Sequence, residues 1–147
     1  VEHDQHKVMV DCGPGTLRRL IQASVTPAQL DAVLLTHYHT DHCADVAALL
    51  FALRSPHLSN RPPLTIYGAP GLERLLEKLT EAWPWLSPKD YELRLCEVTP
   101  GTFDAHGFED IEVELLFKSL PAKSDPESIT VKCEKTGKPR MFLIPIA

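Results

Sequence analysis

The chain has 147 residues, 44% of them hydrophobic and 24% charged, which suits one soluble globular domain with length enough for a proper core. A formal net charge of −5 gives no global pull toward nucleic acid, and no apolar run approaches the roughly 20 residues that span a bilayer. Four scattered cysteines (Cys12, Cys43, Cys96 and Cys133) form no C-x-x-C pair, which speaks against a zinc knuckle or a thioredoxin-type motif and, with no recognisable signal peptide, for a reduced cytoplasmic setting.

In chain order, polar Glu2 to Lys7, with His3 and His6 read as solvated, leads at once into a strand-like Val8-Met9-Val10. The chain therefore reads as beginning inside a fold. Asp11-Cys12-Gly13-Pro14-Gly15-Thr16 predicts a tight turn, followed by a helix from Thr16 to Ala23 with Leu17, Leu20 and Ile21 on one face. Pro27 sits in a connector or opens a small helix through Leu30. Ala32 to Leu35 is a buried strand. From Asp41 onward, Val46, Leu49, Leu50 and Leu53 keep the helical period and predict one helix to about Arg54, with Asp41 favourably near its positive end.

Pro56 to Pro63 reads as a loop carrying His57, Leu64 to Tyr67 as a strand, Gly68 to Gly71 as a turn and Leu72 to Ala82 as an amphipathic helix. Trp83-Pro84-Trp85 is expected to plug against that helix or to line a substrate cleft. Tyr91 to Val98, Ile111 to Phe117, Ser128 to Cys133 and Met141 to Ile144 read as strands. Alternating strands and helices followed by a β-rich half place the chain in the α/β class, and no repeat, low-complexity tract or linker divides residues 1–147. Arg18, Arg19, Arg54 and Arg61 either form a local basic patch or are ordinary solvated surface.

The chemistry concentrates in Thr36-His37-Tyr38-His39-Thr40-Asp41-His42, where four metal-ligand side chains fall within six residues, directly after an apolar strand. Imidazole nitrogens and a carboxylate oxygen are ligands that zinc prefers. His37 and His39 are two apart, so from extended backbone they leave on the same side and can grip one ion. Asp41 and His42 follow where the chain turns into a helix and can face a second ion beside the first. Convergent ionisable groups at such a junction mark functional sites. Cys43, next to His42, is expected to be an inert buried thiol, and His57 a surface loop residue.

This run matches the His-x-His-x-Asp-His signature of the metallo-β-lactamase fold superfamily. Asp11 to Thr16 resembles the turn that precedes that signature in the ribonuclease Z-like branch, and Pro63 to Leu72 is similar to the stretch of that branch where a strand leads into a helix, so three markers in order cover Val8 to Leu79. The resemblance implies an αβ/βα sandwich, with mixed sheets flanked by helices and metals at one sheet edge. It implies two Zn2+ ions, the first held by His37 and His39 and the second by Asp41 and His42. It implies a hydrolase in which metal-activated hydroxide attacks RNA or a small phosphodiester, with Asp41 as the catalytic acceptor of the nucleophile's proton. By the same likeness Asp11 orients a ligand histidine from outside the metal shell; the alternative is that it merely caps a turn.

Members of the superfamily add a third histidine, a bridging aspartate and a final histidine downstream. Here Leu120 to Ser128 contains no histidine and Met141 to Ala147 no carboxylate, while His106 and Asp125 stand in unmatched contexts and His106 is read as a loop residue. The chain is accordingly expected to be a single domain over 1–147 that lacks the first strands and the C-terminal part of the fold, or a decayed copy. Alternative functions are hydrolysis of another ester, a lactone or a β-lactam on the same scaffold, or a non-catalytic remnant. No membrane partner is expected, no tRNA-gripping arm is recognisable, and a homodimer is left open.

Overall fold

Short apolar strands separated by helix-length segments pair in parallel, because parallel neighbours need a long crossover and a helix supplies it. The computed structural model describes residues 6–58 and 61–99, together with the backbone of strands 2–3, 101–105, 108–116, 128–135 and 138–140. The first sheet runs in the order β1 (Glu2–His3), β2 (His6–Val10), β3 (Ala32–Leu34), β4 (Leu64–Gly68) and β5 (Leu93–Glu97). β1 pairs antiparallel with β2, and β2 to β5 are parallel, with Val10 beside Leu34, Leu34 beside Tyr67 and Tyr67 beside Cys96. The crossovers are α1 (Thr16–Gln22), α2 (Thr40–Cys43) with α3 (Asp45–Ala52), and α4 (Leu72–Ala82). A second sheet is an antiparallel meander of β6 (Gly101–Ala105), β7 (Phe108–Leu116), β8 (Ser128–Lys135) and β9 (Lys138–Arg140). This is the α/β layering expected, with a mainly parallel sheet and flanking helices.

The core is built where the apolar periodicity placed it. Val33 and Leu35 from the β3 segment, Leu64 and Ile66 from β4, Val46, Leu49 and Leu50 from α3 and Leu72 from α4 are all fully buried in one cluster. Unbroken apolar runs such as Ala32-Val33-Leu34 suit strands covered on both faces. Among the described residues, no helix is long and apolar enough to cross a membrane.

Several expectations are corrected. The single helix from Asp41 is two helices, because the peptide of Cys12 enters its hydrogen-bond ladder. The Cys12 N–H donates to the His42 carbonyl at 2.6 Å, and the Asp45 N–H donates to the Cys12 carbonyl at 2.8 Å, so α2 stops at Cys43 and α3 starts at Asp45. Trp83 and Trp85 do not plug the fold: they are 44% and 53% exposed, and Leu86 beside them takes the buried seat. Ile21 is exposed, whereas Leu17 and Leu20 of the same helix pack against the core. Gly101–Ala105 is an additional strand, β5 and β7 have different bounds from those read, and the strand begun at Ser128 continues to Lys135. Arg18 and Arg19 are exposed on α1, but Arg54 donates to the carbonyls of Trp85 and Ser87, and half-buried Arg61 donates to the Leu30 carbonyl beneath the Tyr91 ring. The four arginines therefore do not make one free basic patch. The strand expected at Met141 to Ile144, the stretch 120–127, His106 and Asp125 lie outside the described residues.

The close approach of the Cys12–Gly13 segment to α2 requires glycine. A β-carbon at Gly13 would lie 2.7 Å from the Asp41 carbonyl carbon and closer still to its oxygen, whereas one at Gly15 would meet nothing within 4 Å and be strained only by its φ of +83°. Gly13→Ala is expected to cost about 3 kcal/mol, as overpacking against backbone does, and Gly15→Ala about 1 kcal/mol, the strain of a left-handed residue. Urea unfolding of the two variants measures the difference, and equal midpoints would contradict the close approach.

Candidate metal centre

The histidine-rich run leaves the sheet at the carboxyl ends of the parallel strands, the edge where open α/β sheets place their ligands. Leu35 makes the last ladder bond, its N–H donating to the Tyr67 carbonyl at 2.8 Å, and α2 begins at Thr40. Between them, irregular backbone carries His37, Tyr38 and His39. Asp11 follows β2 on the same edge, with its N–H bonded to the Leu34 carbonyl at 2.8 Å. Its φ of 58° lies in the left-handed region, where a non-glycine residue persists only if its surroundings hold it.

They do. The buried Asp11 carboxylate accepts the Thr36 N–H at 2.9 Å on Oδ1, the Thr36 hydroxyl at 2.9 and 3.0 Å, and Nδ1 of His42 at 2.7 Å on Oδ2. The same hydroxyl lies 3.0 Å from Nδ1 of His37. A carboxylate only accepts and a hydroxyl has one hydrogen. The Thr36 hydroxyl therefore donates to Asp11 and accepts from His37, while His42 donates to Asp11 directly. Both rings carry their proton on Nδ1, an assignment that follows from the network, and both leave Nε2 with its lone pair free. Asp11 thus does what an outer-shell carboxylate does around a metal, for two imidazoles at once.

The free edges of the rings converge. His37 and His39 meet edge to face with centroids 4.8 Å apart, and His37 and His42 lie 3.9 Å apart at 47°. Ligating atoms of His37, His39 and Asp41 all fall within 4.8 Å of one another, and His42 Nε2 lies 3.5 Å from Asp41 Oδ2. The sequence divided the four into two pairs; the structure brings Asp41 to His37 and His39 and sets His42 against both Asp41 and His37. The His42 side chain is only 13% exposed, whereas that of Asp41 is 70% exposed. Burial, followed by the neighbouring rings of His42 and His39, holds the His37 imidazole below its ordinary value of 6.5, so it is neutral and able to ligate at neutral pH.

The remaining candidates stay apart from this cluster. Cys43 is buried, its thiol donates to the Tyr38 carbonyl at 3.3 Å, and burial, then Asp11 and Asp41, raise it. Burial, then Asp45, Cys43 and Asp11, push Cys12 up to about 12. Neither thiol ionises near neutrality, as the reading of an inert Cys43 requires. His57 is exposed in a 3-10 turn over Pro56–Leu58, and His6 lies 3.6 Å from Asp31 at the opposite end of β2. Sequence reasoning gave no role to Thr36 or Tyr38. The signal for Thr36 was a hydroxyl beside an imidazole at a strand end.

A donor set of three imidazoles and one carboxylate, two rings held by hydrogen bonds on their far nitrogens, fits a divalent zinc-type ion. Asp11→Ala is expected to weaken zinc binding about 10–100-fold, as loss of an outer-shell partner does, and His37→Ala with His39→Ala to abolish it. Competition against a chromophoric chelator reads both. Unchanged affinity in the double variant would refute the ligand assignment.

Residues 1–117 match the family model described as the metallo-beta-lactamase superfamily. Ribonuclease Z from Brevibacillus brevis is 36% identical over 105 residues, covering 71% of this chain and 31% of that protein. Ribonuclease Z from Methanopyrus kandleri is 33% identical over 135 residues, 88% of this chain and 47% of that protein. The chain thus spans less than half the length of these relatives. Among solved structures, human tRNase Z, short form, aligns with a TM-score of 0.74 at 17% identity, over 95% of this chain and 58% of that one. The metallo-beta-lactamase fold protein YhfI from Bacillus subtilis aligns with a TM-score of 0.68 at 24% identity, over 92% of this chain and 48% of that one. A family model matched across most of the sequence, on a fold shared with both structures, places this chain in the metallo-beta-lactamase superfamily.

Proposed function

We propose that the chain, read as one domain over 1–147, is part of a zinc-dependent hydrolase that cleaves phosphodiester bonds in the manner of ribonuclease Z. The observation that carries this reading is the convergence of His37, His39, Asp41 and His42 at the carboxyl edge of the sheet, with Asp11 and Thr36 turning two of the rings inward. The assigned metals are two zinc ions on these four side chains. When bound, zinc would supply Lewis acidity and a nucleophile at neutral pH. The chain's own residues do the rest. His37 and His42 hold their Nε2 lone pairs toward the centre beside His39, and Asp41, exposed as His39 is, is the group assigned to accept the nucleophile's proton.

The ribonuclease Z relatives, at 36% and 33% identity, support RNA or a small phosphodiester over other esters as the substrate class. The described cysteines Cys12, Cys43 and Cys96 are all free, which fits a reducing cytoplasm.

The test is a zinc-loaded chain offered chromogenic phosphodiester, carboxylic ester and β-lactam substrates side by side. Zinc-dependent cleavage of the phosphodiester is expected, with Asp41→Asn slower by about 10²–10⁴-fold, the range for a lost general base. Cleavage of the ester or lactam alone would move the function to another branch of chemistry on the same fold. A chain that binds no zinc would support the non-catalytic reading.

A further inference from the structure

Tyr38 stands between two metal-ligand histidines, yet its side chain goes elsewhere. While the His37 and His39 rings meet each other, the Tyr38 ring packs toward the β4–α4 turn. Its hydroxyl donates to the Ala69 carbonyl in the turn between β4 and α4. The ring lies so close to that turn that a β-carbon at Gly68 would meet the Tyr38 hydroxyl at 2.8 Å, and one at Gly71 would meet the ring at 3.6 Å. Half-buried, Tyr38 packs against the main core and also against the small cluster of Ala69 and Val98.

The turn that receives it is itself fixed. Ala69 also accepts the Leu72 N–H at 3.2 Å, and Glu97, at the end of β5, takes the Gly71 N–H at 2.7 Å and the Glu73 N–H at 3.1 Å on one oxygen. The Val98 N–H bonds to the Gly68 carbonyl at 2.8 Å. A continuous set of contacts therefore runs from β5 through the turn to the middle of the metal loop. The loop's start is held by Asp11 through Thr36, and its end by the first turn of α2, where the His39 carbonyl accepts from His42 at 2.9 Å and Cys43 at 3.1 Å. Between the two histidines the Tyr38 carbonyl accepts the Cys43 thiol at 3.3 Å, which ties it to α2, and the Tyr38 side chain alone ties that point to the β4–α4 turn.

We propose that Tyr38 is a positioning residue: by locking the metal loop to the β4–α4 turn, which Glu97 braces, it sets the relative placement of the His37 and His39 rings. The proposal rests on the reading of those two histidines as metal ligands.

Tyr38→Phe keeps the ring on Gly68 and Gly71 and removes only the bond to Ala69. In the zinc-free chain, nitrogen-detected NMR of the imidazoles is expected to show the His37 and His39 signals displaced while those of His57 stay. Zinc affinity by chelator competition is expected to fall about tenfold, the low end for an outer-shell partner, and the visible absorption of cobalt(II) at the same residues to change. Glu97→Ala is expected to act in the same direction, and the double variant to lose no more than Tyr38→Phe alone, because both act through one turn. Unmoved ring signals with unchanged zinc affinity, or an equal displacement of His57 that reports a global change, would overturn the proposal. If the unaltered chain binds no zinc, the metal reading fails by itself, and the ring signals still decide the role of Tyr38.

Discussion

The Asp11 carboxylate accepts from a backbone amide, a hydroxyl and an imidazole, and these bonds join the end of β2 to both ends of the histidine-rich loop, 25 and 31 residues later in sequence. A buried carboxylate without partners is costly, and one that satisfies several donors is stabilising and fixes their directions. Here the donors are the end of the β3 segment and the first turn of α2, so the charge that must be satisfied also determines where the histidines point. Removing it would leave the Nδ1 proton of a largely buried His42 without an acceptor and release Thr36 from His37. Site geometry and local stability are consequently one quantity in this region.

The next residues extend the same constraint through the backbone. Cys12 places both of its peptide groups into the ladder of the helix that carries Asp41 and His42, and Gly13 allows the chains to come that close. A helix that ran uninterrupted from Thr40 would have bonded Asp45 to Asp41. The inserted peptide replaces that bond and ends α2 after a single turn. The rotation of Asp41 and His42 about the helix axis is thus set by the strand β2 to which Cys12 is attached, and the candidate metal centre is registered to the sheet by hydrogen bonds rather than by apolar packing alone.

What was legible in the sequence follows from the range of the forces involved. The apolar period located α1, α3 and α4, and the runs at Val8, Ala32 and Leu64 located the inner strands, because local pattern and burial agree there. The clustering of His37, His39, Asp41 and His42 was legible because their spacing on a strand end is itself geometry. The break at Ala44 was not: its cause is a peptide some thirty residues earlier, and nothing in Asp41 to Arg54 encodes it. Trp83 and Trp85 misled for a different reason. Large apolar rings normally win buried positions, but Pro84 fixes the chain in a 3-10 turn that delivers the smaller Leu86 inward and leaves both rings at the surface. The strand at Gly101 was masked by glycine and aspartate, residues whose preferences favour turns until a partner strand overrides them.

The contrast between Asp41 and His42 shows why so much structure converges on six residues. Successive positions on a helix point about 100° apart, so one can sink into the network of Asp11 while its neighbour faces solvent. That division suits the proposed hydrolysis, in which the sunken imidazole would keep its orientation while the exposed carboxylate would meet substrate and exchange a proton with water. It also makes the site fragile in a specific way. Because the rotation of α2 is set by Cys12 and the placement of His37 and His39 by Thr36 and Tyr38, a change at any of these tethers would alter the relation among the proposed ligands without removing one. A metal bound across them would tie the tethers together, and its binding energy would count directly toward the folding of this sheet edge.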